Sequence, residues 1–363
     1  MKTYTFISLL LLLLAVTSCS TYQQVNTRIN PDGSMEREFF AHGDSAFMAG
    51  STDNNPFLFL LDDRWKITRH DSVFVRNLLG EDVKLNVSTY AKFSSPEEFS
   101  KTVQARTNLK QLALPHETLK KYFRWFYTYY TYTAVYSTIR DNLPLPLDFY
   151  LSDSEQYIFF QGDASAFEGM NGIEQAEILD DITSKFEAWF QHCEFIITLK
   201  AFTGQLHESG NSEYATQIPA LHEQLFDMIK QDMNDINITS KFIASLLDKY
   251  FDNDFFSEFQ AKNASFIENK IEQNGLLLAL FEHKFYFNLE MPGNVVQANT
   301  NLRENNALVW KVDAYRFLAH NYTLKAESRK ANVWAFVVAT VLLLGIGLTI
   351  FISKKKYTSS FSA

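Results

Sequence analysis

The chain has little with which to build covalent or metal-bound structure. Its 363 residues include two cysteines, Cys19 and Cys193, too few for a disulfide framework and without the paired Cys-x-x-Cys units of a structural zinc site. The motifs of common enzymes are missing as well: there is no His-Glu-x-x-His zinc helix, no Gly-x-Ser-x-Gly nucleophile turn and no glycine-rich phosphate loop. Positive charge is scarce in the middle of the chain. All 42 acidic residues lie between positions 20 and 329, whereas five of the 33 Lys and Arg residues (Lys2, Lys330, Lys354, Lys355 and Lys356) stand outside those margins. A body more acidic than the formal −9 of the whole chain repels nucleic acid and anionic lipid. Its stability must come from apolar burial, and about 310 residues suffice for one or two cores.

The two ends are the most legible parts. Lys2 is followed by an apolar run from Phe6 to Val16 that includes Leu9 to Leu14, which marks residues 1–18 as a secretion signal outside the fold. Its ending, Val16-Thr17-Ser18-Cys19, resembles the bacterial lipobox; the resemblance implies that Cys19 is acylated, as by palmitate, and becomes the first mature residue. At the other end, Val333 to Ile352 carries no charge and as a helix spans about 30 Å of hydrocarbon. Lys354, Lys355 and Lys356 form the short basic flank that stays on the cytoplasmic side. Arg329 and Lys330 run against that pattern, but a cleaved signal has already carried the preceding chain across. The expected placement is the inner membrane, with the body in the periplasm, a lipid-anchored amino terminus and residues 353–363 as a cytoplasmic tail.

Between the anchors the pattern is mixed. Residues 19–28 read as a tether, and 29–165 as the sheet-rich part of the body. A hairpin is expected from Val25 to Phe40 around Asn30-Pro31-Asp32-Gly33, whose Pro and Gly supply turn chemistry. Residues 41–80 read as loop-rich, with Phe57 to Leu61 either a buried strand or a helical turn. Val83 to Phe93 reads as a strand, and Ser95-Pro96-Glu97-Glu98 as a capped helix start. From Tyr122 to Tyr136 nearly every residue is aromatic, Thr or Val, the chemistry of one bent strand or two, with aromatics on both faces that need cover. Helices supply that cover over 166–283: Ile178, Ile182, Phe186, Trp189, Cys193 and Ile196 make one stripe, Leu221 to Ile236 a second, and Phe242 to Tyr250 and Ala264 to Phe281 two more. The Gly204 to Gly210 stretch reads as the break of a helical hairpin. Short strands return over 284–329. Strands early, helices in the middle and strands late give an α+β class, with a mixed or antiparallel sheet formed by early and late strands, a helical insertion and a C-terminal transmembrane helix over 333–352. Pairing of late with early strands would bring both tethers to one end.

One group of residues carries a resemblance. Met291-Pro292-Gly293-Asn294, Trp310, then Glu327-Ser328-Arg329 with Asn332 and Trp334 leading into the apolar stretch, resemble a group of membrane-anchored lipoproteins of Bacteroides-type bacteria that have a lipobox and one C-terminal transmembrane helix. The resemblance covers about residues 285–353 and implies topology, with no activity to carry over. Read physically, Pro292 and Gly293 suit a turn, Trp310 suits a core strand, and Trp334 suits the headgroup depth of a span.

Other candidates have plainer readings. His42, Asp44 and Ser45 are close in sequence, yet triad chemistry is set by geometry in space. Asp252-Asn253-Asp254 lacks the Gly and closing Glu of a calcium loop and reads as a capped helix break. Asp180 and Asp181 fall on a solvated helix face, and Cys193 on an apolar stripe, so its thiol is inert. His283 and His320 alone do not make a metal site. Lys120, Lys121 and Arg124 are too few to turn the aromatic run into a single-strand stacking platform. No cofactor is expected, and no nucleic acid. The reading is a non-enzymatic, membrane-tethered interaction or structural domain of the cell envelope, whose partners are membrane lipid, through its acyl anchor and helix, and an envelope protein. An apolar-ligand carrier or sensor at the membrane is the alternative, and a hydrolase with an unfamiliar site stands behind both.

Overall fold

A computed structural model describes residues 21–51, 54–76, 82–106, 114–162, 164–230 and 236–360. The signal segment, Cys19 and residues 361–363 lie outside the described residues. The body is α+β, as expected. Strands β1 (Thr21–Ile29) and β2 (Met35–Ala41) form the hairpin, with Arg28 opposite Glu36 and Ile29 opposite Met35. Its turn closes through Gly33, at φ +104°, a left-handed conformation that glycine adopts without a steric cost. Residues 21–28 are thus not a tether. Gln23, Val25, Thr27 and Ile29 alternate inward; a strand with Gln and Thr at two of four inward positions presents a weak apolar pattern and reads as loop.

Seven strands form the first sheet, in the order β3 (Lys66–Arg76), β4 (Asp82–Phe93), β2, β1, β7 (His283–Glu290), β10 (Ala307–Asp313) and β9 (Arg303–Glu304). All its pairs are antiparallel except β1 with β7, which run parallel with Thr21 opposite His283 and Arg28 opposite Glu290. Sequence reading missed β3, because its register shifts between Arg69 and Val73 and destroys the period of two. Phe57 to Leu61 is neither strand nor helix: it is a loop that buries Phe57, Leu58 and Phe59, exposes Leu60, and makes one bridge from Phe59 to Ala105. A second, antiparallel sheet has the order β5 (His116–Arg124), β6 (Tyr127–Tyr136), β11 (Tyr322–Ala331) and β8 (Asn294–Ala298). The aromatic run is therefore two strands, turning at Trp125 and Phe126.

The sheets face one another. Tyr132 packs on Phe287, and one ion pair joins the layers: Arg37 donates to both carboxylate oxygens of Glu117 at 2.7 and 2.9 Å and to Thr27 Oγ1 at 3.0 Å, with Phe99 against its guanidinium. Arg37 and Glu117 are 1% and 0% exposed.

The helices are α1 (Ser45–Met48), α2 (Pro96–Thr102), α3 (Asp153–Gln156), α4 (Gly172–Glu208), α5 (Ser212–Gln217), α6 (His222–Asp227), α7 (Ser240–Phe251), α8 (Phe255–Ala279) and α9 (Val333–Ser360). Ser95 caps α2 as expected, accepting from the Glu98 N–H. Helix α4 begins at a capping box of Asn171 and Glu174. It runs unbroken through Gly204, and the chain turns only after Glu208, with Gly210 at φ +83°. An isolated helical glycine costs only about 1 kcal/mol, and the burial of Phe202 and Leu206 around it holds the helix together. The first half of α4 packs Ile182, Phe186, Trp189 and Cys193 against the sheet core; its second half joins a separate core with Ile243, Leu247, Phe256 and Ile267. The Asp252 to Asp254 break is a left-handed C-cap at Asp252 (φ 53°), and Asp248 accepts from the Phe256 and Ser257 N–H groups.

The two chain ends leave the body at opposite ends of the sandwich, against the expectation that pairing would bring them together. β1 enters at the His283 end. β11 leaves near the Arg28 and Glu290 end, where Ser328 donates to Pro292 O at 2.9 Å and Tyr130 donates to Pro31 O at 2.8 Å. From Thr21 to Arg28 the strand advances about 23 Å. Pairing within a body does not bring chain ends together unless strand directions also agree: β1 and β11 both run toward the same end, so the start of one is far from the finish of the other.

Removing one partner of a buried ion pair leaves an uncompensated charge. Glu117→Ala should lower unfolding stability by about 3–5 kcal/mol, whereas the double change Arg37→Met with Glu117→Leu should recover most of the loss. Denaturant titration of the detergent-solubilised chain checks this; equal loss in both variants would show that the pair itself stabilises the sandwich.

Candidate membrane-contact site

Helix α9 follows β11 after one residue, Asn332, so no linker separates the body from the apolar segment. Val333–Phe351 is long and apolar enough to cross a membrane, and nearly all of its large apolar side chains are exposed. The helix itself continues beyond the expected span, through positions 354–356 to Ser360. Asn332 makes the joint. Its N–H donates to Phe126 O at 2.8 Å, its Nδ2 donates to Trp125 O at 3.0 Å and Arg124 O at 3.3 Å, and its Oδ1 accepts from Thr128 Oγ1 at 2.9 Å. The amide side chain is thereby spent on the β5–β6 turn, clamping the first turn of α9 to the hairpin tip.

That tip is exposed. Tyr122, Phe123, Trp125 and Phe126 have 54, 60, 50 and 39% of their surface accessible, although the sequence pattern predicted cover for both faces. Cover exists only from Tyr127 onward, where Thr128, Tyr130, Tyr132, Ala134 and Tyr136 face the other sheet. The exposed rings gather around the start of α9: Trp334 stacks on Phe123 (6.2 Å, 3°) and meets Trp125 edge-on at 5.3 Å, and Phe336 lies 4.8 Å from Phe126. Cations rim them. Arg329 stands 4.9 Å over the Tyr127 ring and Arg124 5.2 Å over Tyr129, Lys121 donates to Pro31 O, and Lys120 and Lys330 are exposed.

Most of the residues singled out from sequence support this collar. Pro292 O accepts from Ser328 Oγ, Met291 is buried, and Gly293 (φ +76°) lies where a Cβ would come within 2.4 Å of Arg329 O. Glu327 is half-buried in β11 opposite Thr131. Trp310 stands apart in the core, donating to Asn299 Oδ1 at 3.0 Å. Cys19 lies outside the described residues. Sequence reading missed Tyr122, Phe123, Trp125 and Phe126 as surface groups. The signal was present: a strand with aromatics on both faces, interleaved with Lys120, Lys121 and Arg124, is too amphipathic in its charge to be wholly core.

No family model and no curated protein matches the chain. Among solved structures, the folded domain of the LppM protein of Mycobacterium tuberculosis, determined by NMR, is matched over 86% of this chain and 91% of that one, at 7% identity and a TM-score of 0.25. So slight a likeness assigns neither fold nor function. Neither these comparisons nor that structure supports membership of a Bacteroides-type lipoprotein group.

Elsewhere, a cleft of about 730 Å³ opens between α4 and β10. Phe159, Phe160, Phe186, Phe190 and Tyr315 line it, with Glu194, Asp313 and Arg316 among its polar groups. Burial pushes the Glu194 carboxyl above its ordinary pKa. The cleft lies beside Asp313, which pairs with Lys284 next to the entry of β1, and so at the end away from α9. His42, Asp44 and Ser45 form no catalytic set: Asp44 caps α1 through the Phe47 N–H and accepts from Asn54. Among the described residues no three His, Cys, Asp or Glu side chains group as metal ligands.

Gly293→Ala should cost more than about 1 kcal/mol, since it combines a left-handed backbone with a collision against β11. Asn332→Ala should raise amide hydrogen exchange over residues 122–128 and leave the α7–α8 amides unchanged. Unaltered exchange at the tip would show that Asn332 does not clamp it.

Proposed function

We propose that the chain is a non-enzymatic, membrane-tethered interaction or structural domain of the bacterial cell envelope. The observation that carries this reading is the joint: β11 passes into α9 through one residue whose side chain fixes the hairpin tip to the helix. A body attached through a flexible linker samples many poses, whereas this body is held in one pose over whatever surrounds α9. Such an arrangement suits a protein that presents a surface at set height and orientation. The acidic body offers that surface to an envelope protein, and α9 carries the attachment to lipid. In this reading Val333 to Phe351 spans the inner membrane, the body is periplasmic, Ala363 is cytoplasmic and Cys19 is acylated.

Impermeant thiol labelling tests the orientation. Cys193 is fully buried, and burial pushes its thiol pKa up to about 12, so the native thiol stays protonated and unreactive at neutral pH. A cysteine at exposed Ser209 should label from the periplasmic side, and a reporter fused after Ala363 should act as cytoplasmic. The Cys19→Ser chain should remain in the membrane fraction after carbonate washing, because a spanning helix holds more firmly than a lipid. Release by carbonate would remove the reading, and so would labelling of Ser209→Cys only from the cytoplasmic side. Cross-linking followed by detergent purification should recover a reproducible envelope protein; repeated recovery of the chain alone would count against an interaction role.

The cleft favours a second reading, an apolar-ligand site, because about 730 Å³ lies within the range of small-molecule pockets. Its place at the end away from α9 makes a lipid carrier fed from that membrane the weaker reading. Thr183→Trp, which fills the mouth of the cleft, should weaken binding of a fluorescent fatty acid by about tenfold. Unchanged binding, or none in the native chain, would remove this reading.

A further inference from the structure

The whole chain is acidic, yet its exposed cations are not evenly spread. Arg124 from β5 and Arg329 and Lys330 from the last residues of β11 stand at the aromatic tip beside α9, and Lys121 and Lys120 lie three and four residues back along β5. Asp32, next to Lys121, is an acidic group at that rim, and Glu327 is half-buried behind it. The pattern also accounts for Arg329 and Lys330, which oppose the usual charge bias of a span: they belong to the body's collar and stack or stand beside its rings.

We propose that this collar seats on an anionic bilayer surface, with Phe123, Trp125 and Trp334 at headgroup depth and the cations on anionic headgroups. The inference rests on the membrane-tether reading and deepens it by naming the lipid class. Three features on one end of the body select a bilayer over a protein partner. The rings are continuous with an apolar helix whose large apolar side chains are exposed from Val337 to Phe351 among the described residues, Trp and Tyr are the side chains that settle at a water–hydrocarbon boundary, and a cluster of Lys and Arg is attracted to anionic headgroups. Rigid clamping by Asn332 means that the tip cannot withdraw when α9 is inserted. The strands then stand with their Glu290 end on the membrane and the entry of β1 on the far side.

The full chain reconstituted in phosphatidylcholine bilayers containing phosphatidylglycerol tests this. In the Trp334→Phe chain, Trp125 is the tip's one tryptophan, and Trp65, Trp189 and Trp310 are buried in the body. Lipids brominated near the headgroup should quench it, and aqueous acrylamide should not. Spin-labelled phosphatidylglycerol should associate with the native chain about fivefold more strongly than phosphatidylcholine, the factor that one well-placed cation gives. High salt should erase the preference, as should Lys120→Ser, Arg124→Ser and Lys330→Ser together, with the melting curve unchanged. Equal association of the two lipids, a preference that survives the triple change, or free access of acrylamide to Trp125 would overturn the proposal. If the chain instead washes out of the bilayer with carbonate, it is the tether reading that fails.

Discussion

The pairing of β1 with β7 governs this fold. The first strand of the body lies between β2, its neighbour in sequence, and β7, reached 262 residues later, where Arg28 and Glu290 close the far end of the pair at 2.7 Å. Parallel pairing over such a separation cannot form locally, because closure entropy must be met before the contact contributes anything. The helical segment between β6 and β7 has a core of its own, built from the second half of α4 with α7 and α8, which keeps the intervening chain compact. Helix α4 belongs to both cores, so the insertion and the sandwich are coupled through a single rod.

The second sheet depends on the first in a different way. Its inner face supplies Glu117 to an arginine of β2, and a fully buried charge pair tolerates little misplacement. The pair is bidentate, so its two hydrogen bonds fix the direction as well as the distance between β2 and β5. Tyr132 and Tyr136, buried close by, have phenols raised far above their ordinary pKa by loss of water and by the Glu117 carboxylate. They remain neutral at any physiological pH.

Much of this was legible in the sequence where periodicity is strong. The hairpin turn at Asn30 to Gly33, the cap at Ser95, the α4 stripe and the late strands all follow from local chemistry, and so does the α+β class. What was not legible depended on long-range partners. β1 reads as a tether because Gln23 and Thr27 face inward beside Arg37 and Pro56 O instead of greasy neighbours. β3 vanishes behind a bulge, and Gly204 suggests a break that tertiary packing overrides. The collar was hidden for the same reason: Tyr122 to Phe126 and Trp334 are more than 200 residues apart, and the β6–β11 pairing and the Asn332 hydrogen bonds unite them. An aromatic-rich strand next to lysines carries two messages, core and interface, and composition alone does not separate them.

The absence of slack between β11 and α9 has a mechanical meaning. Val333 follows β11 after one residue, and the ladder of β11 with β6 runs from Ala331 opposite Tyr127 to Tyr322 opposite Tyr136. A displacement of α9 therefore passes straight into the second sheet. The body is then a gauge as much as a domain: from Arg28 back to Thr21 the strand advances about 23 Å, so the height of the far end over α9 is written in β-sheet, which does not stretch.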